Sequence, residues 1–233
     1  MPLSTLSGRD VIVVGGAGGI GSAVTELLAS EGARVTSTYR SRPREGAIQV
    51  DITNPEDRRR LLDGVPGLYG LVVMAGDPAR AADASQVEDA MRRSHENNYL
   101  GPVMLAREAV ERMKAAGTPG AVVLMSTMQA VALFPGSTTY AGAKAALAHA
   151  ARILAKECRG PADIRVNVVS PGVTQAGMAE ASIASGKYDR FLNDGVVPRF
   201  GRAIDVARAV RFFLEPDSYV TGQVLSVDGG LTL

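Results

Sequence analysis

Only one cysteine, Cys158, occurs in the chain of 233 residues, so no internal disulfide can form and no pair of thiolates is available to grip zinc or an iron–sulfur cluster. A reducing, cytoplasmic setting is expected. The two histidines, His95 and His149, stand apart from each other and from any carboxylate pair, so neither a metal site nor histidine-based chemistry can be assembled. No metal is expected. Charge of one sign is also missing: 25 basic and 24 acidic residues are interspersed and leave a net charge of +1. No field results that would attract nucleic acid or an anionic membrane. Residues 1–9 lack a basic stretch followed by an apolar run, and no apolar run approaches the roughly 20 residues of a membrane helix. The protein is read as cytoplasmic and untagged.

The composition that remains, 46% hydrophobic and 21% charged, suits one large α/β domain over 1–233. Short β-rich runs at 11–14, 34–38, 47–50, 68–74, 121–125, 164–169 and 224–227 alternate with stretches of helical period at 20–30, 56–62, 85–95, 99–116, 139–158 and 204–214. Runs that are apolar on both faces and separated by crossover helices predict a doubly wound parallel sheet with helices on both sides, the Rossmann arrangement. The segment 172–201 loses periodicity to Gly, Ser and Pro and reads as a lid over a substrate.

Directly after the first strand comes Gly15-Gly16-Ala17-Gly18-Gly19-Ile20-Gly21, followed at once by a helix. Glycines let the backbone approach a pyrophosphate lying on a helix N-terminus, where free N–H groups and the positive end of the dipole meet negative charge. Strand, turn and helix occur in the order that dinucleotide binding requires. At the end of the second strand an NAD enzyme usually presents Asp or Glu to the adenosine ribose, whereas this chain offers Thr38-Tyr39-Arg40-Ser41-Arg42. Arg40 can form a charge-assisted fork to a 2′-phosphate and Ser41 can donate a further bond, which favours NADP. The same arginines also fit a solvated loop.

Tyr140-Ala141-Gly142-Ala143-Lys144 places a phenol and an ammonium on one face of a helix. Chance would produce a Tyr-x3-Lys about one tenth of a time in such a chain, so the pair is suggestive by itself. A cation near a phenol moves its pKa from about 10 toward the working range, making Tyr140 a proton donor or acceptor tuned by Lys144.

The turn Gly15-x3-Gly19-x-Gly21, together with Tyr140-x3-Lys144, Asn98-Tyr99-Leu100-Gly101, Arg165 to Gly172 and Tyr219 to Gly230, resembles the short-chain dehydrogenase/reductase family over nearly the whole chain. The resemblance implies that Thr127, thirteen residues before the tyrosine, polarises a substrate oxygen where the family has serine. Ser126 stays open as an alternative if the strand end shifts by one. It further implies that Lys144 holds the nicotinamide ribose, that Asn98 holds a water for proton relay, and that Asp51 clamps the adenine. A turn or cap role is the other reading of Asp51. Ala75 and Gly76 after the fourth strand, and Pro171, Gly172 and Val173 beside the nicotinamide amide, complete the implied cofactor contacts.

Departures accompany the resemblance. Val14 stands where the family has threonine, Val73 and Met74 where it has asparagines, and Ala176 where it has threonine, with Thr174 as a possible substitute. Little room is left between Asp51 and Gly67 for a third crossover helix. The expected function is NADP(H)-dependent hydride transfer between nicotinamide and a carbonyl or hydroxyl carbon of a small molecule, as in a ketoreductase. A non-catalytic nucleotide-binding sensor or assembly subunit is the alternative. Met178, Ile183, Tyr188 and Phe191 suggest an apolar substrate pocket. The family association implies a homotetramer, or a dimer if only one two-fold contact forms, with Ala-rich 141–151 and the apolar tail Leu231-Thr232-Leu233 as surfaces.

Overall fold

The computed structural model describes residues 6–233. For residues 1–5 the expected lack of a targeting stretch lies outside the described residues. Seven strands form one parallel sheet in the order β3-β2-β1-β4-β5-β6-β7. They are β1 (Asp10–Val14), β2 (Arg34–Tyr39), β3 (Ile48–Gln49), β4 (Leu68–Val73), β5 (Gly120–Met125), β6 (Ile164–Pro171) and β7 (Val224–Val227). The helices between them are α1 (Gly19–Ser30), α2 (Pro55–Asp63), α3 (Val87–His95), α4 (Gly101–Ala116), α5 (Thr138–Glu157), α6 (Glu180–Ala184), α7 (Asp189–Asn193) and α8 (Ala203–Leu214).

The period of two along β1 divides its side chains between two cores. Ile12 and Val14 pack with Leu61 and Leu62 of α2, Leu105 of α4 and Leu147 of α5. Val11 and Val13 pack with Val24 and Leu28 of α1 and Val206 and Val210 of α8. Burial on both faces, expected of every strand, holds for β4, β5 and β6 throughout and for nearly all of β1. It fails for β3 and β7, which are largely exposed because each closes an edge of the sheet, and for β2, where Thr38 alone is buried and the outer neighbour β3 is only two residues long. The third strand is also shorter than the expected 47–50.

Local chemistry sets the helix limits. In the short crossover after β3, Pro55 opens α2 without needing a hydrogen-bond donor, while Asn54 caps it by accepting from Glu56 N–H at 2.8 Å. The expected helix 99–116 begins instead with a π turn, Glu96–Leu100, that joins α3 to α4 without a loop. Residues 172–201 leave β6 and close on their own base: Gln175 N–H donates to Gly201 O at 2.8 Å and Gly201 N–H to Val173 O at 2.9 Å. Short helices α6 and α7, absent from the sequence reading, lie inside this loop.

Candidate active site

A cleft of about 1340 Å³ runs across the carboxyl ends of the strands, where the order turns outward from β1 in one direction and from β4 in the other. Open α/β sheets bind ligands at this crevice. The turn after β1 forms its first wall. Gly15 N–H donates to Thr38 Oγ1 at 3.2 Å and Ala17 N–H to Thr38 O at 3.3 Å. Buried Thr38, reaching across from β2, thus steadies the turn in which Val14 replaces the family threonine. Sequence reading missed it, since a contact between residues 15 and 38 leaves no local signal.

A Cβ at Gly21 would lie 2.2 Å from Gly15 O, so the chain can fold back under its own turn only with glycine there. Helix α1 starts without a side-chain cap and without an acidic residue in its first turn. Gly21 N–H already turns back to Gly18 O at 2.8 Å, and no side-chain cap or first-turn acid competes for the N–H groups of Gly19 and Ile20. Gly15, Gly19, Ile20 and Gly21 all line the cleft.

Tyr39, Arg40, Ser41 and Asp51 continue the same wall. No carboxylate stands at the end of β2. Arg40 donates to Asn97 Oδ1, and Arg44 reaches back to Ala17 O at 3.4 Å and to Glu26 at 3.5 Å. Asp51 makes the local turn: its Oδ1 accepts from Thr53 N–H at 3.0 Å and from Thr53 Oγ1 at 2.8 Å. Its side chain is accordingly committed to its own loop along one oxygen, although the residue borders the cleft.

Ala75 and Gly76 follow β4 and form the floor. A side chain at Gly76 would meet Asn98 Oδ1 at 3.1 Å and Lys144 Nζ at 3.5 Å, which leaves glycine as the residue that fits. Asn98 is fully buried in the π turn. Its amide accepts from Asp77 N–H and donates to Asp77 O, both at 2.8 Å, and donates to Ser94 Oγ at 2.9 Å. The side chain thus clamps the loop after β4, a task in which the missing family asparagines are partly replaced. Asp77 is held further by Arg93 Nε at 3.1 Å, and Arg93 also binds Arg80 O at 3.2 Å.

Tyr140 and Lys144 stand one turn apart on α5, yet only Tyr140 lines the cleft. Lys144 and Asn98 lie beneath the floor. Lys144 Nζ donates to Met125 O at 2.8 Å, and burial pushes its pKa down from 10.5 to about 8. Tyr140 departs from expectation in the opposite sense. Loss of solvent pushes its pKa up to about 12, against a smaller downward pull from its hydrogen bond with Thr127. The expected lowering by Lys144 is absent because desolvation dominates and the ammonium is directed at Met125.

Both residues after β5, Ser126 and Thr127, line the cleft; Thr127 stands beside Tyr140, whose pKa it pulls down, and its Oγ1 accepts from Gln129 N–H at 3.3 Å. Ser126 Oγ donates to Lys144 O at 3.0 Å. Its one proton is engaged there, which favours Thr127 of the two candidates left open by the sequence.

Pro171, Gly172 and Val173 reach the cleft from the end of β6. Thr174, the possible substitute for the threonine missing at Ala176, lines the cleft with its Oγ1 donating to Gly172 O at 3.1 Å. Of the expected apolar pocket, Met178 and Tyr188 line the cleft. Ile183 and Phe191 pack behind Tyr188 with Met128 and Phe200. Among the described residues no cluster of His, Cys, Asp and Glu could hold a metal ion, and no helix is long and apolar enough to cross a membrane.

Residues 15–232 match a family model described as Enoyl-(Acyl carrier protein) reductase. Carbonyl reductase family member 4 of Danio rerio is 34% identical over 242 residues, covering 97% of this chain and 98% of its own. NADPH-dependent aldehyde reductase 2, chloroplastic, of Arabidopsis thaliana is 28% identical over 265 residues, covering 100% and 97%. The structure of a short-chain type dehydrogenase/reductase from Mycobacterium ulcerans superposes with a TM-score of 0.88 at 29% identity, covering 98% of this chain and 91% of that one.

Proposed function

The chain belongs to the short-chain dehydrogenase/reductase family, and we propose that it is an NADP(H)-dependent oxidoreductase acting as a ketoreductase on a small carbonyl compound. The observation that carries this reading is the meeting of Thr127 and Tyr140, a hydroxyl and a desolvated phenol, in the same cleft as an uncapped helix N-terminus.

The residues present fit the cofactor. The glycine turn leaves backbone N–H groups open at α1, and the β2 end carries Arg40, Ser41 and Arg42 where a carboxylate would repel a 2′-phosphate. The Arabidopsis relative is named for NADPH, which supports the same choice. Gly15, Gly19, Ile20 and Gly21 would hold the pyrophosphate, Tyr39, Arg40, Ser41 and Asp51 the adenosine, and Ala75, Gly76, Pro171, Gly172 and Val173 the nicotinamide half. When bound, NADPH supplies the hydride that reduces the carbonyl carbon.

Everything else falls to the chain. Thr127 and Tyr140 orient the carbonyl oxygen with two hydroxyl bonds, and Tyr140, a neutral phenol at working pH, gives that oxygen its proton. Lys144, with a pKa of about 8, returns a proton to the phenolate. Asn98 holds the Gly76–Asp77 loop beside Lys144, and the water it is expected to hold would restore the proton that Lys144 gives up. Residues 172–201 act as a lid that brings Tyr188 and Met178 over the substrate. The non-catalytic alternative rests on replaced polar residues, and the placing of Thr127 and Tyr140 together in the cleft weakens it.

One domain over 1–233 serves both cofactor and substrate in this reading. The protein is taken as cytoplasmic, in keeping with its single, buried cysteine. A homotetramer is proposed, or a dimer if one contact forms: β7 leaves Val224 and Leu225 exposed, as are Leu233 in the tail and Ile153 on α5. The experiment that tests the activity is NADPH oxidation by purified protein over a panel holding a ketone, a 3-oxoacyl thioester, a sugar and a quinone. Carbonyl-dependent oxidation with at least one class is expected, and none with any class refutes the proposal.

A further inference from the structure

We propose that Asn97 is a positioning residue that sets the cofactor preference of this chain by holding the Arg40 guanidinium across the adenosine end of the cleft, an inference that rests on the NADP(H) reading above. Arg40 directly follows β2 and Asn97 lies in the π turn between α3 and α4, so the two reach the cleft from different walls. The guanidinium of Arg40 donates to Asn97 Oδ1. Asn97 itself is fixed, because its Nδ2 donates to Arg93 O at 2.8 Å and only its oxygen is left to face a donor. A guanidinium can only donate, so the orientation of the amide is decided from both ends.

The other arginines of the loop are differently placed. Arg44 is tied to Ala17 O and Glu26. Arg42 makes no hydrogen bond or ion pair among the described residues. Arg40 alone is both free of a carboxylate and held in place. That combination suits recognition of a phosphate. A guanidinium has five N–H donors, so one bond to Asn97 leaves the rest for a bidentate contact. The amide orients Arg40 without neutralising it, which an acidic residue at the same position would do.

The neighbouring asparagines thereby divide two tasks. Asn98 turns inward to the loop after β4, and Asn97, one residue earlier in the π turn, faces the cleft. Removing Asn97 leaves a long side chain to be ordered only when the phosphate arrives, at a cost of about three- to ten-fold in affinity. NADH, which has no 2′-phosphate, gains nothing from that ordering.

The test is titration of the cofactor's own fluorescence to obtain Kd for NADPH and for NADH. Wild type, Asn97→Ala, Asn97→Asp, Arg40→Ala and the double variant Asn97→Ala/Arg40→Ala are compared. Asn97→Ala is expected to weaken NADPH by about three- to ten-fold with NADH unchanged, and the unchanged NADH value shows that the fold is intact. Asn97→Asp keeps the shape and the acceptor but adds negative charge, so its loss for NADPH should be larger. The double variant should be no worse than Arg40→Ala. Tighter or unaltered NADPH binding by Asn97→Ala, or an equal loss for both cofactors, overturns the inference while leaving the cofactor reading standing. Equal affinities in wild type overturn both.

Discussion

The ammonium of Lys144 sits 2.8 Å from the main-chain oxygen of Met125, buried beneath the cleft, while the phenol of Tyr140 one helical turn earlier is open to it. Burial moves the two groups apart in titration, Lys144 down to about 8 and Tyr140 up to about 12.

A pH dependence follows from this separation. Tyr140 remains protonated across the range in which the enzyme is stable, so the alkaline limb of kcat/KM for reduction reports Lys144. The rate should fall as pH rises through about 8. A limb displaced to the ordinary range of a phenol or an exposed lysine would contradict the assignment.

Stability carries the opposite sign. The folded pKa of Lys144 lies below its unfolded value of 10.5, so folding disfavours the ammonium. The penalty is fully present below about 8 and disappears as pH rises toward 10.5. Relative to Lys144→Met, wild type should therefore gain stability between these values. Paired chemical denaturation of the two proteins across that window measures it, and parallel curves would show that burial is not the cause.

The hydroxyls after β5 separate by role. Thr127→Val keeps the shape but removes the hydroxyl beside Tyr140, and kcat should drop by about two to three orders of magnitude with cofactor Kd retained. Ser126→Ala removes the buried bond to the Lys144 carbonyl and should cost about 1 kcal/mol of stability with a small effect on kcat. Stopped assays and thermal melts on both variants decide the matter. A kcat loss confined to Ser126→Ala reverses the assignment.

Assembly is open to a direct check. Fully exposed Leu233 recovers about 1.5–3 kcal/mol if covered by a second copy, and the partly exposed Val224 and Leu225 less than half of that each, before ordering costs. Sedimentation velocity at micromolar protein should show a tetramer or a dimer. A single species at monomer mass overturns the proposal.

Which parts were legible in the sequence depended on range. The turn from Gly15 to Gly21 and the pair Tyr140 and Lys144 are local patterns, and both stand where the periodicity of β1, α1 and α5 puts them. The exchange of duties between Ser126 and Thr127 depends on the phase at which β5 ends, one residue either way, which apolar runs do not specify. Thr38 supporting Gly15 and Asn97 meeting Arg40 join segments far apart in the chain, so neither has a spacing to read. The π turn was hidden because α3 and α4 abut without a loop signal. Short helices α6 and α7 were hidden because Gly and Ser in 172–201 suppress the apolar period while Tyr188 and Phe200 still bury.

Reduction with Tyr140 as proton donor is tested most directly by comparing wild type with Tyr140→Phe. The measurement is carbonyl-dependent NADPH oxidation, taken alongside NADPH Kd for each protein. Wild type should turn over and Tyr140→Phe should lose activity by at least about two orders of magnitude, the contribution expected of a positioned acid, while binding NADPH as tightly as before. Equal turnover by the two proteins would contradict the account.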